Sequence, residues 1–129
     1  MNKRLVLIAS ISGILAVLLG AFGAHGLKAH LTAAELDNWK TGVNYQFYHT
    51  LALLFLSLIP EHRIKLINVS SVAFIIGIIL FSGSLYLLST RSLTGFAAAF
   101  LGPITPIGGL SFIIGWACLF FAAVKVKNA

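Results

Sequence analysis

The apolar runs of this chain are long enough to cross a lipid bilayer, and they constrain the fold more than any other feature. The first run, residues 5–24, holds 20 mostly apolar residues, about the length that a helix needs to span a hydrocarbon core roughly 30 Å thick. Because backbone polar groups in lipid must be paired within the protein, such runs favour helices. We therefore predict an all-α integral membrane four-helix bundle, with spans at residues 5–24, 42–59, 66–88 and 106–124.

The composition agrees with a membrane protein and excludes a water-soluble one. Hydrophobic residues make up 59% of the 129 residues and charged residues only 9%, whereas a soluble domain carries about 25% charged residues. Residues 1–129 are expected to form a single transmembrane domain. The first run is longer than the apolar core of a signal peptide, about 7 to 15 residues, so we interpret it as a retained span.

The net charge of +6 does not indicate nucleic-acid binding, because the basic residues lie in small groups between the apolar runs. Such groups are typical of topology signals and of contact with anionic lipid. One side of the membrane would hold both termini and the loop after the second span, with these basic residues: Lys3, Arg4, Arg63, Lys65, Lys125 and Lys127. The other side would hold Lys28, Lys40 and Arg91. The positive-inside rule therefore predicts that both termini are cytoplasmic.

The second helix is predicted to begin with a capping box and to exceed the thickness of the bilayer core. Thr32 and Glu35 have the spacing of an N-cap and the third helical residue, and Pro60 ends the helical pattern of residues 33–59. A helix of this length would extend roughly 40 Å at about 1.5 Å per residue. The first turns must therefore lie outside the hydrocarbon, and residues 42–59 form the span.

Residues 92–102 fit neither a loop nor a complete span. These 11 residues are too few to cross the membrane and too apolar for an ordinary loop. Gly102 and Pro103 then interrupt any continuous helix, and Pro106 suits the first turn of the last span. We predict a short broken segment before that span, either re-entrant or interfacial.

The stretch GVNYQFYHTLALL, residues 42–54, carries the polar side chains that are most out of place in lipid. Gln46 and His49 share one face of the predicted helix, and Asn44 lies on the adjoining face. Unpaired polar groups cost on the order of several kcal/mol in hydrocarbon, so these faces should point into the bundle or toward water. Polar ends of the other spans lie at the same membrane level. The candidate ligand-binding residues are His49, Gln46, Asn44, Tyr45, His25, Ser82, Ser84 and Thr105.

Two functions are open for this polar cluster. In the first, it lines a pocket in the outer leaflet that binds a small molecule or a lipid headgroup, since an intramembrane histidine is a functional candidate by default. In the second, Gln46 and His49 only form hydrogen bonds between helices. The protein would then be a structural or accessory subunit that packs in a homo-oligomer or in a larger membrane complex.

Catalysis and metal binding have little support in the sequence. A membrane enzyme with His49 as acid or base lacks an evident second catalytic group. The carboxylates lie near or outside the interface: Glu35, Asp37 and Glu61. His25 and His30 are five residues apart, which is not a single-face helical spacing, and His62 belongs to the opposite membrane side. We predict no metal site and no cofactor, and the single Cys118 is expected only to pack.

Four motifs carry a resemblance to a known family. They are GAFGAHGL, NYQFYHTLALL, LFSGSLYLL and GPITPIGG followed by GW, in matching order from Gly20 to Trp116. Together they resemble a family of small bacterial inner-membrane proteins of the YgdD and YwdK type. The resemblance implies a multi-pass protein of the bacterial cytoplasmic membrane. Since that family is a domain of unknown function, the resemblance implies no catalytic or binding residues.

Overall fold

The computed structural model describes residues 1–60, 65–96 and 99–126, and these form four long helices and one short helix. Helix α1 comprises Lys3–His25, α2 Ala33–Ser57, α3 Lys65–Ser89, α4 Arg91–Thr94 and α5 Ile104–Lys125. Among the described residues, α1, α3 and α5 are long and apolar enough to cross a membrane. The predicted all-α membrane bundle is therefore confirmed.

Helix α2 begins at the predicted capping box. The Thr32 hydroxyl accepts a hydrogen bond of 3.2 Å from the Glu35 amide, and the Glu35 carboxylate accepts one of 3.2 Å from the Thr32 amide. The Ser92 hydroxyl also donates to Glu35, over 2.9 Å. The bond from Ser92, together with those from Thr32, holds the pKa of Glu35 below its ordinary value. The hydrogen bond between Ser92 and Glu35 joins the beginning of α2 to α4, just beyond the end of α3.

Consecutive long helices run antiparallel, so α2 and α5 run in the same direction. The Asn2 amide donates to the Ser57 carbonyl over 2.7 Å, which joins the beginning of α1 to the end of α2. The hydroxyls of Ser84 and Thr105 lie 2.6 Å apart, which joins the last part of α3 to the beginning of α5. Helix α2 packs against α1 and α3, and α5 packs against α3.

Small residues allow α5 to approach α3 closely. The Ser70 hydroxyl on α3 donates to the Gly115 carbonyl over 2.8 Å, and the Ser111 hydroxyl on α5 donates to the Ala73 carbonyl over 2.7 Å. Gly108 lies directly against the α3 backbone, where a methyl group would overlap it. Close approach through small residues is the usual way in which helices associate in lipid.

Helix α3 contains a π-helical turn, Ile78–Ser82. The Gly83 amide donates to the Ile78 carbonyl five residues earlier, instead of to the residue four positions back. The turn contacts both neighbouring helices: Ser82 donates a 2.7 Å bond to the Gly42 carbonyl of α2, and Gly108 of α5 packs against the backbone of Leu80 and Phe81. Single π turns within α-helices frequently lie at functional sites.

The segment before the last span begins with α4, which ends at Gly95 with a left-handed φ of 68°. Helix α5 then begins at Ile104 with Pro103 as its N-cap, two residues earlier than the predicted start at Pro106. Residues 97 and 98 lie outside the described residues. So do four residues on which the predictions about topology, catalysis and metal binding rest in part: Glu61, His62, Arg63 and Lys127.

Candidate functional site

Gln46 lies where α2 meets α1 and α3, and its amide is paired on both sides. The side-chain nitrogen donates to the Ser12 carbonyl over 2.9 Å, and the side-chain oxygen accepts from the Tyr86 hydroxyl over 2.6 Å. The Ser12 hydroxyl lies 2.7 Å from the hydroxyl of Thr50. With Gln46 only 4% exposed, these bonds join three helices inside the bundle.

His49 faces α5 instead, and both of its ring nitrogens are occupied by the protein. Nδ1 lies 2.7 Å from the Tyr45 carbonyl oxygen, which can only accept, so Nδ1 carries the proton. Nε2 is then the acceptor for the indole N–H of Trp116, over 3.0 Å. The imidazole stacks on Phe112, with ring centroids 3.5 Å apart and planes 8° from parallel. His49 therefore holds α2 and α5 together as a neutral ring, 3% exposed.

The remaining polar candidates are divided between helix contacts and the surface. Ser82 bonds to α2, and Ser84 pairs with Thr105 of α5. By contrast, the side chains of Asn44 and His25 are exposed, on the surface of α2 and at the end of α1. These five residues therefore do not meet Gln46 or His49 in one polar cavity.

A cavity of about 680 Å³ lies between α2 and α5, and we call it the α2–α5 cleft. Its volume falls within the range of about 300 to 1,000 Å³ that is usual for ligand pockets. Most of its lining is aromatic or aliphatic: Tyr45, Tyr48, His49, Phe81, Pro106, Gly109, Leu110, Phe112, Ile113 and Trp116. It follows α5 for about 15 Å at about 1.5 Å per residue. Two of the candidates from the sequence, Tyr45 and His49, thus meet in this cleft.

The α2–α5 cleft opens toward the surface of the bundle that faces lipid. Leu110 and Ile113 on its rim are 56% and 65% exposed, as expected of apolar side chains that contact a bilayer. On the bundle side, the Phe81 ring from the π turn of α3 packs 4.8 Å from the Tyr45 ring. The cleft is therefore a groove closed by protein on one side and open to the membrane on the other.

The chemistry that this arrangement supports is binding of hydrocarbon. No Lys, Arg, Asp or Glu side chain lines the cleft among the described residues. His49, its one imidazole, is bonded at both nitrogens, so it is not free to transfer a proton. In the described part of the chain, no group of three His, Cys, Asp or Glu side chains is placed to hold a metal ion.

Three aromatic residues of the cleft were not among the residues predicted from the sequence: Phe81, Phe112 and Trp116. Aromatic residues in an apolar helix look alike in a sequence whether they line a cavity or face lipid, as Phe120 and Phe121 do on the exposed surface of the same helix. One sequence signal could have linked two of them: Phe112 and Trp116 are four residues apart, a spacing that places both rings on one helix face.

The fold and the cleft define a small, helical integral membrane protein. Residues 19–109 match the model of a family described as protein of unknown function (DUF423), and the chain belongs to that family. Its relatives are named as membrane proteins, which confirms the resemblance inferred from the four motifs.

Three relatives show how far the similarity extends. The UPF0382 membrane protein YwdK of Bacillus subtilis is 41% identical over 125 residues, which cover 95% of this chain and 98% of the relative. The UPF0382 inner membrane protein YgdD of Escherichia coli K12 is 43% identical over 130 residues, covering 99% and 95%. A UPF0382 membrane protein of Haemophilus influenzae is 43% identical over 127 residues, covering 98% of each chain. No solved structure matches the chain.

Proposed function

We propose that this protein binds a lipid of the surrounding bilayer, with one hydrocarbon chain of the lipid in the α2–α5 cleft. The observation that carries the proposal is the cleft itself: an aromatic groove of about 680 Å³ that is open to the membrane side of the bundle. We propose a non-enzymatic role, since the side chains of Gln46 and His49 are both engaged in bonds between helices.

The lining of the cleft favours a hydrocarbon occupant over a polar one. A polar molecule placed against Phe81, Phe112 and Ile113 would lose its hydrogen bonds to water and gain few in return. A hydrocarbon chain has no such bonds to lose. Because the rim residues Leu110 and Ile113 are exposed on the bundle surface, the occupant would enter sideways from the bilayer rather than from water.

His49 would act on this site by holding its walls in place. Its bond to Trp116 and its stacking on Phe112 fix the separation of α2 and α5. Phe74 supports the pair from α3, with its ring 5.2 Å from His49 and 5.0 Å from Trp116. A preformed cleft lowers the ordering cost of binding. The polar cluster would thus shape the lipid site without contributing its own polar atoms to the lipid.

A structural or accessory subunit is the second candidate function. The observation in its favour is the complete pairing of Gln46 and His49 within the bundle. Such a subunit would pack in a homo-oligomer or a larger complex, and its cleft would hold no particular molecule. The two functions differ in one measurable property, which is specific retention of lipid by the cleft.

The proposal includes a membrane orientation, in the bacterial cytoplasmic membrane, with both termini cytoplasmic and α2 as a fourth crossing segment. Basic residues at the proposed cytoplasmic ends, Lys3, Arg4, Lys65 and Lys125, support it. Reporter fusions at the C terminus test the orientation. We expect a cytoplasmically active reporter to work and a periplasmically active one to fail, and the reverse result would contradict the orientation and the outer-leaflet position of the cleft.

Filling the cleft with a side chain is expected to remove lipid binding. Gly109 lines the cleft, and a Cβ there would lie 3.7 Å from the Phe81 ring, an ordinary contact distance. Gly109→Leu should therefore fold and place its remaining carbons in the groove. We expect phosphatidylethanolamine to bind this variant at least about tenfold more weakly, which corresponds to ~1.4 kcal/mol, as measured by native mass spectrometry during lipid titration.

Gly83→Leu is the matched control for this experiment. A Cβ at Gly83 meets nothing within 4 Å, and this residue does not line the cleft. The control should bind lipid as the natural protein does. Equal binding by the natural protein and Gly109→Leu would contradict the proposed function and leave the structural subunit as the better interpretation.

A further inference from the structure

Two hydroxyl groups at the α2–α5 cleft differ from most polar side chains of the bundle. Other large side chains with an O–H or N–H group, such as Tyr86, Trp39 and Trp116, bond to protein groups. The hydroxyls of Tyr45 and Tyr48 make no hydrogen bond to any residue that the structure describes. Both residues line the cleft. Ser89, whose buried hydroxyl is also unpaired, lies at the end of α3 and does not line it.

The two tyrosines lie side by side at the open part of the cleft. Their ring centroids are 5.6 Å apart, and the residues are 40% and 56% exposed. The Tyr45 ring is fixed against Phe81, at 4.8 Å, and against the imidazole of His49, at 6.1 Å. Packing therefore holds the Tyr45 ring in position, the Tyr48 ring lies against it, and both hydroxyls are left available to a molecule in the cleft.

Their depth places these hydroxyls near the boundary between hydrocarbon and headgroups. Lys40 is exposed two residues before the predicted span of α2, and Tyr45 and Tyr48 follow Lys40 by about 7.5 and 12 Å along the helix axis. Because side chains on a helix tilt toward its N-terminus, we expect both hydroxyls to lie on the side of their own Cα atoms that faces Lys40. If the α2 span begins at residue 42 as predicted, this level lies close to where acyl chains join the glycerol.

We infer that Tyr45 and Tyr48 recognise a lipid whose chains are joined by ester bonds, by donating hydrogen bonds to the ester carbonyl oxygens. This inference rests on the proposed function, since it concerns the lipid whose chain occupies the cleft. A phenol hydroxyl donates, and an ester carbonyl accepts. An ether-linked lipid has the same chains and headgroup but no carbonyl oxygen, so it offers the two donors a much poorer partner.

The competing explanation is that both tyrosines only anchor the helix at the interface. Tyrosine is enriched at membrane interfaces in many proteins, where its ring lies among headgroups without selecting a lipid. An anchoring role predicts equal binding of ester and ether lipids. Recognition predicts a preference that depends on the two hydroxyls and not on the rings.

The test compares a diacyl phosphatidylethanolamine with its dialkyl ether analogue of equal chain length, by native mass spectrometry under competition. The natural protein is expected to prefer the ester lipid about tenfold, the effect of two modest hydrogen bonds. The variant Tyr45→Phe/Tyr48→Phe keeps both rings and should bind the two lipids equally, with ether-lipid binding close to that of the natural protein.

Each outcome of this test has a distinct meaning. Equal binding of both lipids by the natural protein would overturn the inference, and this result needs no variant. A preference that persists in Tyr45→Phe/Tyr48→Phe would overturn it as well, because the hydroxyls would then not be the cause. If Gly109→Leu binds both lipids as tightly as the natural protein does, the proposed function is overturned instead. Failure of the inference and failure of the proposed function are therefore distinguishable.

Discussion

Alanine at Gly108 is expected to separate α5 from α3 and to cause a large loss of stability. The added methyl group would overlap the backbone nitrogen of Phe81 and lie 2.8 Å from the carbonyl carbon of Leu80. Backbone atoms cannot rotate away as a side chain does, so the helices themselves must move. Overpacking of this kind costs about 3 kcal/mol. The free energy of unfolding in detergent micelles, from titration with dodecyl sulfate, measures the loss.

Gly109→Ala is the control because it makes the same chemical change one residue further along α5. Its Cβ would lie 3.7 Å from the nearest atom, on the Phe81 ring. Alanine is the better helix former by about 1 kcal/mol, so this variant should be as stable as the natural protein or slightly more stable. Equal free energies of unfolding for Gly108→Ala and Gly109→Ala would show that Gly108 is not in close contact with α3.

Removal of the imidazole of His49 is expected to have the second large effect. His49→Ala removes the ring stacked on Phe112 and leaves the indole N–H of Trp116 without its acceptor. The lost packing and the unpaired donor together should lower the free energy of unfolding by about 3 kcal/mol. The same micelle titration measures this loss, and intrinsic fluorescence, emitted by Trp39 and Trp116 together, reports whether an indole changes its surroundings.

A double-mutant cycle separates the hydrogen bond from the packing. Phenylalanine in place of Trp116 has no N–H group, so His49→Ala should cost about 1 kcal/mol less in that background than in the natural protein. Additive losses would contradict a hydrogen bond between His49 and Trp116. The variants Trp116→Phe and His49→Ala should both fold, since each leaves the α3–α5 contact at Gly108 unchanged.

The helices could be predicted from the sequence, because their causes are local. Thr32 and Glu35 mark the beginning of α2 through hydrogen bonds that span only three residues. The burial of Gln46 and His49 also followed from local reasoning, since unpaired polar groups are unfavourable in lipid. These inferences need no knowledge of which helices are neighbours.

The separation of Gln46 from His49 could not be predicted, because it depends on the arrangement of whole helices. Three residues apart on α2, they lie about 60° apart around the helix axis, and this is enough to direct them to different partners. Gln46 forms its hydrogen bonds to α1 and α3, whereas the bond of His49 to another helix is to α5. Helical periodicity identifies the buried face of a helix but not the neighbour that covers each part of it.

The α2–α5 cleft was also beyond sequence reasoning, for two physical reasons. Its bundle-side wall depends on the π turn at Ile78–Ser82, which presents Phe81 to the groove, and no residue type specifies a single π turn. Its width depends on how closely Gly108 lets α5 approach α3. Both are properties of packed helices, whereas a sequence shows only that glycines and aromatic residues are present.

Photocrosslinking with a lipid that carries a diazirine on one acyl chain, followed by peptide mapping, tests lipid binding in the cleft most directly. We expect adducts concentrated on the rim of the cleft, at Leu110, Ile113 and Tyr48. Excess unlabelled ester lipid and Gly109→Leu should each suppress them. Adducts at Ile14 and Leu18, exposed on α1, should not change. Even labelling of α1 and the cleft, unaffected by Gly109→Leu, would contradict a lipid site between α2 and α5.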